Sequence, residues 1–172
     1  HINVLLTVDG GSGANDVLNI DDSNPGNHAK AGTLTSNTLR GLELEAGVNY
    51  TTFESLNLWL AFGNNRFDID STHGGFTTVQ ASGGHDTFNV RTTDIGSSTL
   101  LYGETGNDIF NLSQSTPQLP AAYPASTPPP AADTVGSVDQ LDGFIAINGG
   151  HHSDTINVDD SGNTASKSTK LT

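Results

Sequence analysis

The residues of this chain best suited to chemistry are aspartates set in glycine-rich turns. GGSGANDVL (10–18), YGETGNDIF (102–110) and GGHHSDTI (149–156) each place an Asp just ahead of an apolar run, and ASGGHDTFNV (81–90) is a variant of the same pattern. Carbonyl and carboxylate oxygens held in such turns are ligands for a hard cation such as calcium. A structural reading uses the same residues: Gly and Asn supply positive φ in tight turns, and Asp accepts hydrogen bonds from nearby backbone N–H groups. The pairs Asp21-Asp22 and Asp159-Asp160, and the pair His151-His152, offer less. Adjacent residues on a strand face apart and make poor joint ligands. His151 and His152 also correspond to Ser12 and Gly13 in an earlier copy of the segment, which weakens a zinc reading.

No catalytic constellation emerges. The basic residues Lys30, Arg40, Arg66, Arg91, Lys167 and Lys170 are scattered. The acids are distributed along turns and not paired across a cleft as glycoside hydrolysis requires. There is no Gly-x-Ser-x-Gly elbow and no phosphate-binding loop, so the chain is not expected to be an enzyme. With 19 acidic against 6 basic residues the net charge is −13, which argues against nucleic acid and anionic lipid as partners. Cysteine is absent, which excludes disulfides and thiol chemistry, and no apolar run approaches the ~18 residues of a membrane span. The sequons at Asn49 and Asn111, and the Ser/Thr/Pro-rich stretch 115–130, make glycans possible.

These turns must be held by the strands on either side. Five segments align as short strand, Gly/Asn turn, short strand: 5–23, 56–71, 77–90, 99–113 and 145–161. Leu18, Phe67, Phe88, Phe110 and Ile156 share the first apolar slot of the second strand, and Asn19, Asp68, Asn89, Asn111 and Asn157 share the polar slot after it. Val8, Leu58, Val79, Leu101 and Ile147 share a slot of the first strand. Phe67, Phe88 and Phe110 are 21 and 22 residues apart. A constant step of this size predicts an all-β chain forming a parallel β-solenoid, a β-helix or β-roll of about 21–22 residues per coil. Apolar slots would stack inward and Asn would form an outer ladder. Residues 24–50 are expected to hold an extra coil around Leu34, Leu39, Leu42 and Leu44, and the Pro-rich stretch 114–142 to leave the solenoid as a loop.

A longer period is also present. DVLNIDDS (16–23) returns as DTINVDDS (154–161), and Leu34-Thr35 as Leu171-Thr172. Residues 1–172 thus read as one continuous segment, a repeat of about 138 residues plus the start of the next, cut from a tandem array.

These residues carry two resemblances. The turns 10–18, 102–110 and 149–156 are similar to the repeat-in-toxin (haemolysin-type) nonapeptide Gly-Gly-x-Gly-x-Asp-x-apolar-x. That likeness implies calcium held by glycine carbonyls and by Asp16, Asp108 and Asp154, with Asp86 a weaker member. The motif recurs once per coil here and not every nine residues, so folding is not expected to require calcium. The whole pattern, including LTSNTLRGL and YTTFESLNLWLAFGNNRFDIDSTHGGFTTV, resembles long tandem repeats of giant extracellular surface proteins, many of them adhesin-like. This implies secretion and a structural or adhesive role: a stiff filament built by copies stacking end to end, with a calcium-binding module that folds on export as the alternative.

Overall fold

The computed structural model describes residues 3–23, 29–115 and 136–163. Most of the Pro-rich stretch, residues 116–135, and the partial second repeat at Leu171-Thr172 lie outside the described residues.

The described chain is all-β, with thirteen strands: β1 (Leu6–Asp9), β2 (Val17–Asp21), β3 (Ala31–Leu34), β4 (Thr38–Gly41), β5 (Leu44–Thr51), β6 (Ser55–Trp59), β7 (Arg66–Ile69), β8 (Phe76–Gln80), β9 (Thr87–Val90), β10 (Ser98–Tyr102), β11 (Ile109–Leu112), β12 (Phe144–Asn148) and β13 (Thr155–Val158). They form two sheets. The larger has eight strands in the order β1-β5-β4-β3-β7-β9-β11-β13, and the smaller has five, β12-β10-β8-β6-β2. From β6 onward, successive strands alternate between the sheets and pair in parallel within each.

This arrangement corrects the expectation of a parallel solenoid. The chain forms two open sheets packed across one core, and the larger sheet is mixed. The cause lies in residues 31–51. Instead of an extra coil, β3, β4 and β5 run antiparallel, with Leu34 opposite Leu39 and Leu39 opposite Val48. These strands bury Leu34, Leu39, Val48 and Tyr50, and the β4–β5 turn buries Leu42; the Tyr50 hydroxyl donates to the Thr35 carbonyl at 2.6 Å. Antiparallel neighbours need only a short turn, so three strands fit into residues 31–51.

The core arises from period-two alternation. In the small sheet Leu56, Leu58, Val79 and Leu101 face in and are fully buried. In the large sheet Phe67 lies beside Phe88, and Phe88 beside Phe110, in register. The Phe88 and Phe110 rings are parallel with centroids 5.0 Å apart. Ile156 continues this row next to Phe110 but is 55% exposed, because no strand covers it beyond β13 among the described residues. Leu18 does not belong to the row. It sits in the small sheet beside Leu56, and Val8 sits in the large sheet beside Tyr50.

Candidate functional site

Where a small-sheet strand turns into the next large-sheet strand, the turns stack and their polar residues form continuous files. In the first file each carboxylate accepts from the backbone of the preceding turn. Asn65 N–H donates to Asp86 Oδ1 at 2.7 Å, Asp86 N–H to Asp108 Oδ1 at 2.8 Å and Asp108 N–H to Asp154 Oδ1 at 3.0 Å. The file begins at Asn65, whose Oδ1 accepts from Lys30 N–H at 3.1 Å. A second file, one residue earlier in each turn, runs the opposite way. His85 N–H donates to Asn64 Oδ1, Asn107 N–H to His85 Nδ1 and Ser153 N–H to Asn107 Oδ1, at 2.8, 2.9 and 3.1 Å. Glycines let these turns approach. Gly84 and Gly106 have φ of 134° and 144°, and a methyl on either would run into the carbonyl of the turn below, Gly63 O or Gly84 O.

The structure thus brings together Asp86, Asp108 and Asp154. Asp16 stands apart, in the β1–β2 turn, with its backbone N–H held by Glu54 Oε2 at 2.7 Å. Glu54 does there what the next Asp does in the file.

Asp86 and Asp108 are buried, and the Oδ2 atom of each, like that of Asp16, is buried with no hydrogen-bond partner. Burial pushes the Asp86 carboxyl up to about 7, against the hydrogen bonds from Asn65 and with the help of the neighbouring Asp108 charge. Burial also raises Asp108. Asn65 displays the neutral solution to the same position: its Nδ2 donates to Ala61 O at 2.7 Å and Gly63 O at 3.0 Å. A carboxylate has no such N–H to offer, and its second oxygen is satisfied by a proton or by a cation. Among the described residues no group of three or more His, Asp or Glu side chains is gathered to hold a metal.

On the large sheet the polar slot forms a side-chain ladder. Asn157 Nδ2 donates to Asn111 Oδ1, Asn111 Nδ2 to Asn89 Oδ1 and Asn89 Nδ2 to Asp68 Oδ1, at 2.8, 2.8 and 2.7 Å. Asn19 is not in this ladder. It accepts from Asn57 Nδ2 at 2.9 Å in the small sheet. The ladder ends on an ionic cluster that the scattered basic residues did not suggest: Arg91 pairs with Asp68 at 2.9 Å and Asp70 at 2.5 Å, and Arg66 with Asp68 at 3.0 Å. The only sequence trace of it is the acid–apolar–acid run 68–70, one repeat step before Arg91. Of the two sequons, Asn49 lies in β5 with its Oδ1 accepting from Arg40, and the Asn111 amide is engaged in the ladder. Ser115 of the Ser/Thr/Pro stretch is described, and residues 116–130 are outside the described residues. Compared with models of known families, with curated proteins and with solved structures, the chain finds no match.

Proposed function

We propose that this chain is a structural segment of an extracellular fibre or giant cell-surface protein, assembled by copies stacking end to end. The observation that carries the reading is β13. All four of its residues are exposed, including Ile156 at 55% and Val158 at 62%, although their in-register neighbours Phe110 and Leu112 lie in or against the core. A strand with an apolar inner face and a free edge is a template for another strand. The row of aromatic and Asn contacts stiffens the stack between ends. The resemblance to giant surface repeats supports an extracellular setting, with glycans as possible partners. Sedimentation velocity of the 172-residue chain over a wide concentration range tests the reading, with electron microscopy of the same samples. Mass growing with concentration, and rods in the images, are expected. A strict monomer at millimolar concentration defeats it.

A second reading, a cation-binding segment, is favoured by the buried, unpartnered Oδ2 atoms of Asp86 and Asp108. Asp108 Oδ2 lies against Gly103 and Asp154 Oδ2 against Gly149, so each turn would offer a carboxylate oxygen. Calcium bound there would supply countercharge to the file. Thermal unfolding with calcium and with chelator separates the readings. Folding is expected in both conditions, and a midpoint unmoved by calcium removes the second reading.

A further inference from the structure

The two ends of the molecule are complementary in a way that specifies how copies meet, an inference that rests on the end-to-end reading and gives it a register. We infer that a second copy docks its β1–β2 unit on the β12–β13 unit of the first, with β2 extending the large sheet beside β13 and β1 extending the small sheet beside β12.

The two units are built alike. Gly11 and Gly150 both have φ of 89°. Gly11 N–H donates to Asp9 Oδ1 and Gly150 N–H to Asn148 Oδ1, both at 3.0 Å. Ser23 N–H and Ser161 N–H close the same turn on Asp21 and Asp159. The β1–β2 unit also packs on its successor in the chain as β10–β11 packs on β12–β13. Gly10 N–H donates to Thr51 O and Asp16 N–H to Glu54 Oε2, just as Gly103 N–H donates to Asn148 O and Asp108 N–H to Asp154 Oδ1. Yet β2 sits in the small sheet and β13 in the large one. Matching like with like therefore exchanges the sheets between copies.

Hydrogen-bond polarity points to the same register. In the acid file every N–H donates forward to the next turn's carboxylate. At the C-terminal end the Asp154 N–H has no partner among the described residues, and at the N-terminal end the Asp16 carboxylate accepts no hydrogen bond from them. In the Asn ladders every amide donates backward. Asn157 Oδ1 is left open as an acceptor, and Asn19 Nδ2 as a donor. In the inferred register Asp154 N–H meets Asp16, and Asn19 Nδ2 meets Asn157 Oδ1. Leu18 covers Ile156, Ile20 covers Val158 and Val8 covers Ile147. Joining like sheet to like sheet offers neither hydrogen bond: β1 (Leu-Thr-Val-Asp), then beside β13, carries no Asn, and the Asp16 turn runs from large sheet to small whereas the Asp154 turn runs from small to large.

The chain contains no cysteine, so the register can be read by cross-linking. Parallel neighbours lie about 4.8 Å apart, inside the Cα range of about 4.4–6.8 Å that a disulfide spans. The double variant Asn19→Cys/Asn157→Cys, both at exposed positions, is oxidised at a concentration where the unmodified chain associates. The comparator is Thr7→Cys/Asn157→Cys, which bridges only if large sheet meets large sheet. Circular dichroism checks that both are folded. The expected result is a non-reducing ladder of dimers, trimers and longer species from the first variant and none beyond dimer from the second. A ladder from the comparator alone, or from neither while the unmodified chain still associates, overturns the register and leaves end-to-end assembly standing. An unmodified chain that stays monomeric, with no ladder from either variant, overturns both.

Discussion

Replacing Asp86 with Asn isolates the electrostatic cost of the acid file. The Asn65 N–H keeps its acceptor, since Asn retains Oδ1, and the new Nδ2 stands where Asp86 Oδ2 has no partner. Asn65 shows that such an amide finds carbonyls two and four residues back. Linkage sets the magnitude. The carboxyl titrates near 3.8 when unfolded and near 7 when folded. The folded state therefore holds a proton that the unfolded state has already released between about pH 4 and 7, and stability falls as pH rises through that window. Three units at about 1.4 kcal/mol each set an upper limit of about 4 kcal/mol, and relaxation around the charged group reduces it to about 1–3 kcal/mol. The assay is urea unfolding of wild type and variant from pH 4 to 8, read as the difference between them so that other groups cancel. The variant should match wild type near pH 4 and exceed it by that amount at pH 8. A difference independent of pH, or a variant that loses ground as pH rises, would refute the assignment of Asp86 as a buried acid without a partner for its second oxygen.

Phe88→Ala removes a fully buried ring stacked on Phe110 and should cost about 3–5 kcal/mol in the same unfolding assay; a cost near zero would remove Phe88 from the core. Gly106→Ala should destabilise by several kcal/mol, opposite in sign to the gain of about 0.4–1 kcal/mol that Gly-to-Ala brings where the backbone permits a side chain, because its methyl collides with Gly84 O at a φ of 144°; a neutral result would show that the turns are not stacked so closely. Self-association should strengthen with added salt, since each copy carries a net charge of −13 and screening shortens the repulsion to about 8 Å at 0.15 M. Sedimentation at low and high salt reads this, and association that weakens with salt would contradict it.

The 21- and 22-residue spacings were legible because strand side chains alternate strictly, so residues in matching slots meet when strands pair in register. Phe67, Phe88 and Phe110 are neighbours for that reason. The sheet membership of Leu18 was not legible. DVLNIDDS and DTINVDDS are near-copies, yet they occupy different sheets, and what separates them is the antiparallel excursion of β3–β5. That excursion hides in LTSNTLRGLELEAGVNY because one of its turns places Leu42 and Glu43 at φ of 52° and 58°. Neither residue type signals a left-handed turn, and the spaced leucines of the run read as one more coil. Within the site, turn chemistry pointed to Asp86, Asp108 and Asp154, but not to which backbone each would serve. The grouping of Arg91 with Asp68 and Asp70 depends on two strands meeting, a distance that no local pattern encodes.

The alternation of strands between sheets has a mechanical consequence. From β6 to β11 the backbone passes from one layer to the next only once per unit, so tension applied at the chain ends loads one interface at a time. Each release frees about 22 residues, roughly 75 Å of contour length at ~3.4 Å per residue. Stretched in an optical trap, this part of the molecule would lengthen in equal steps of that size, beginning at the outermost layer. Tension would be capped at the strength of a single interface, so the element would lengthen under overload and refold when the load falls.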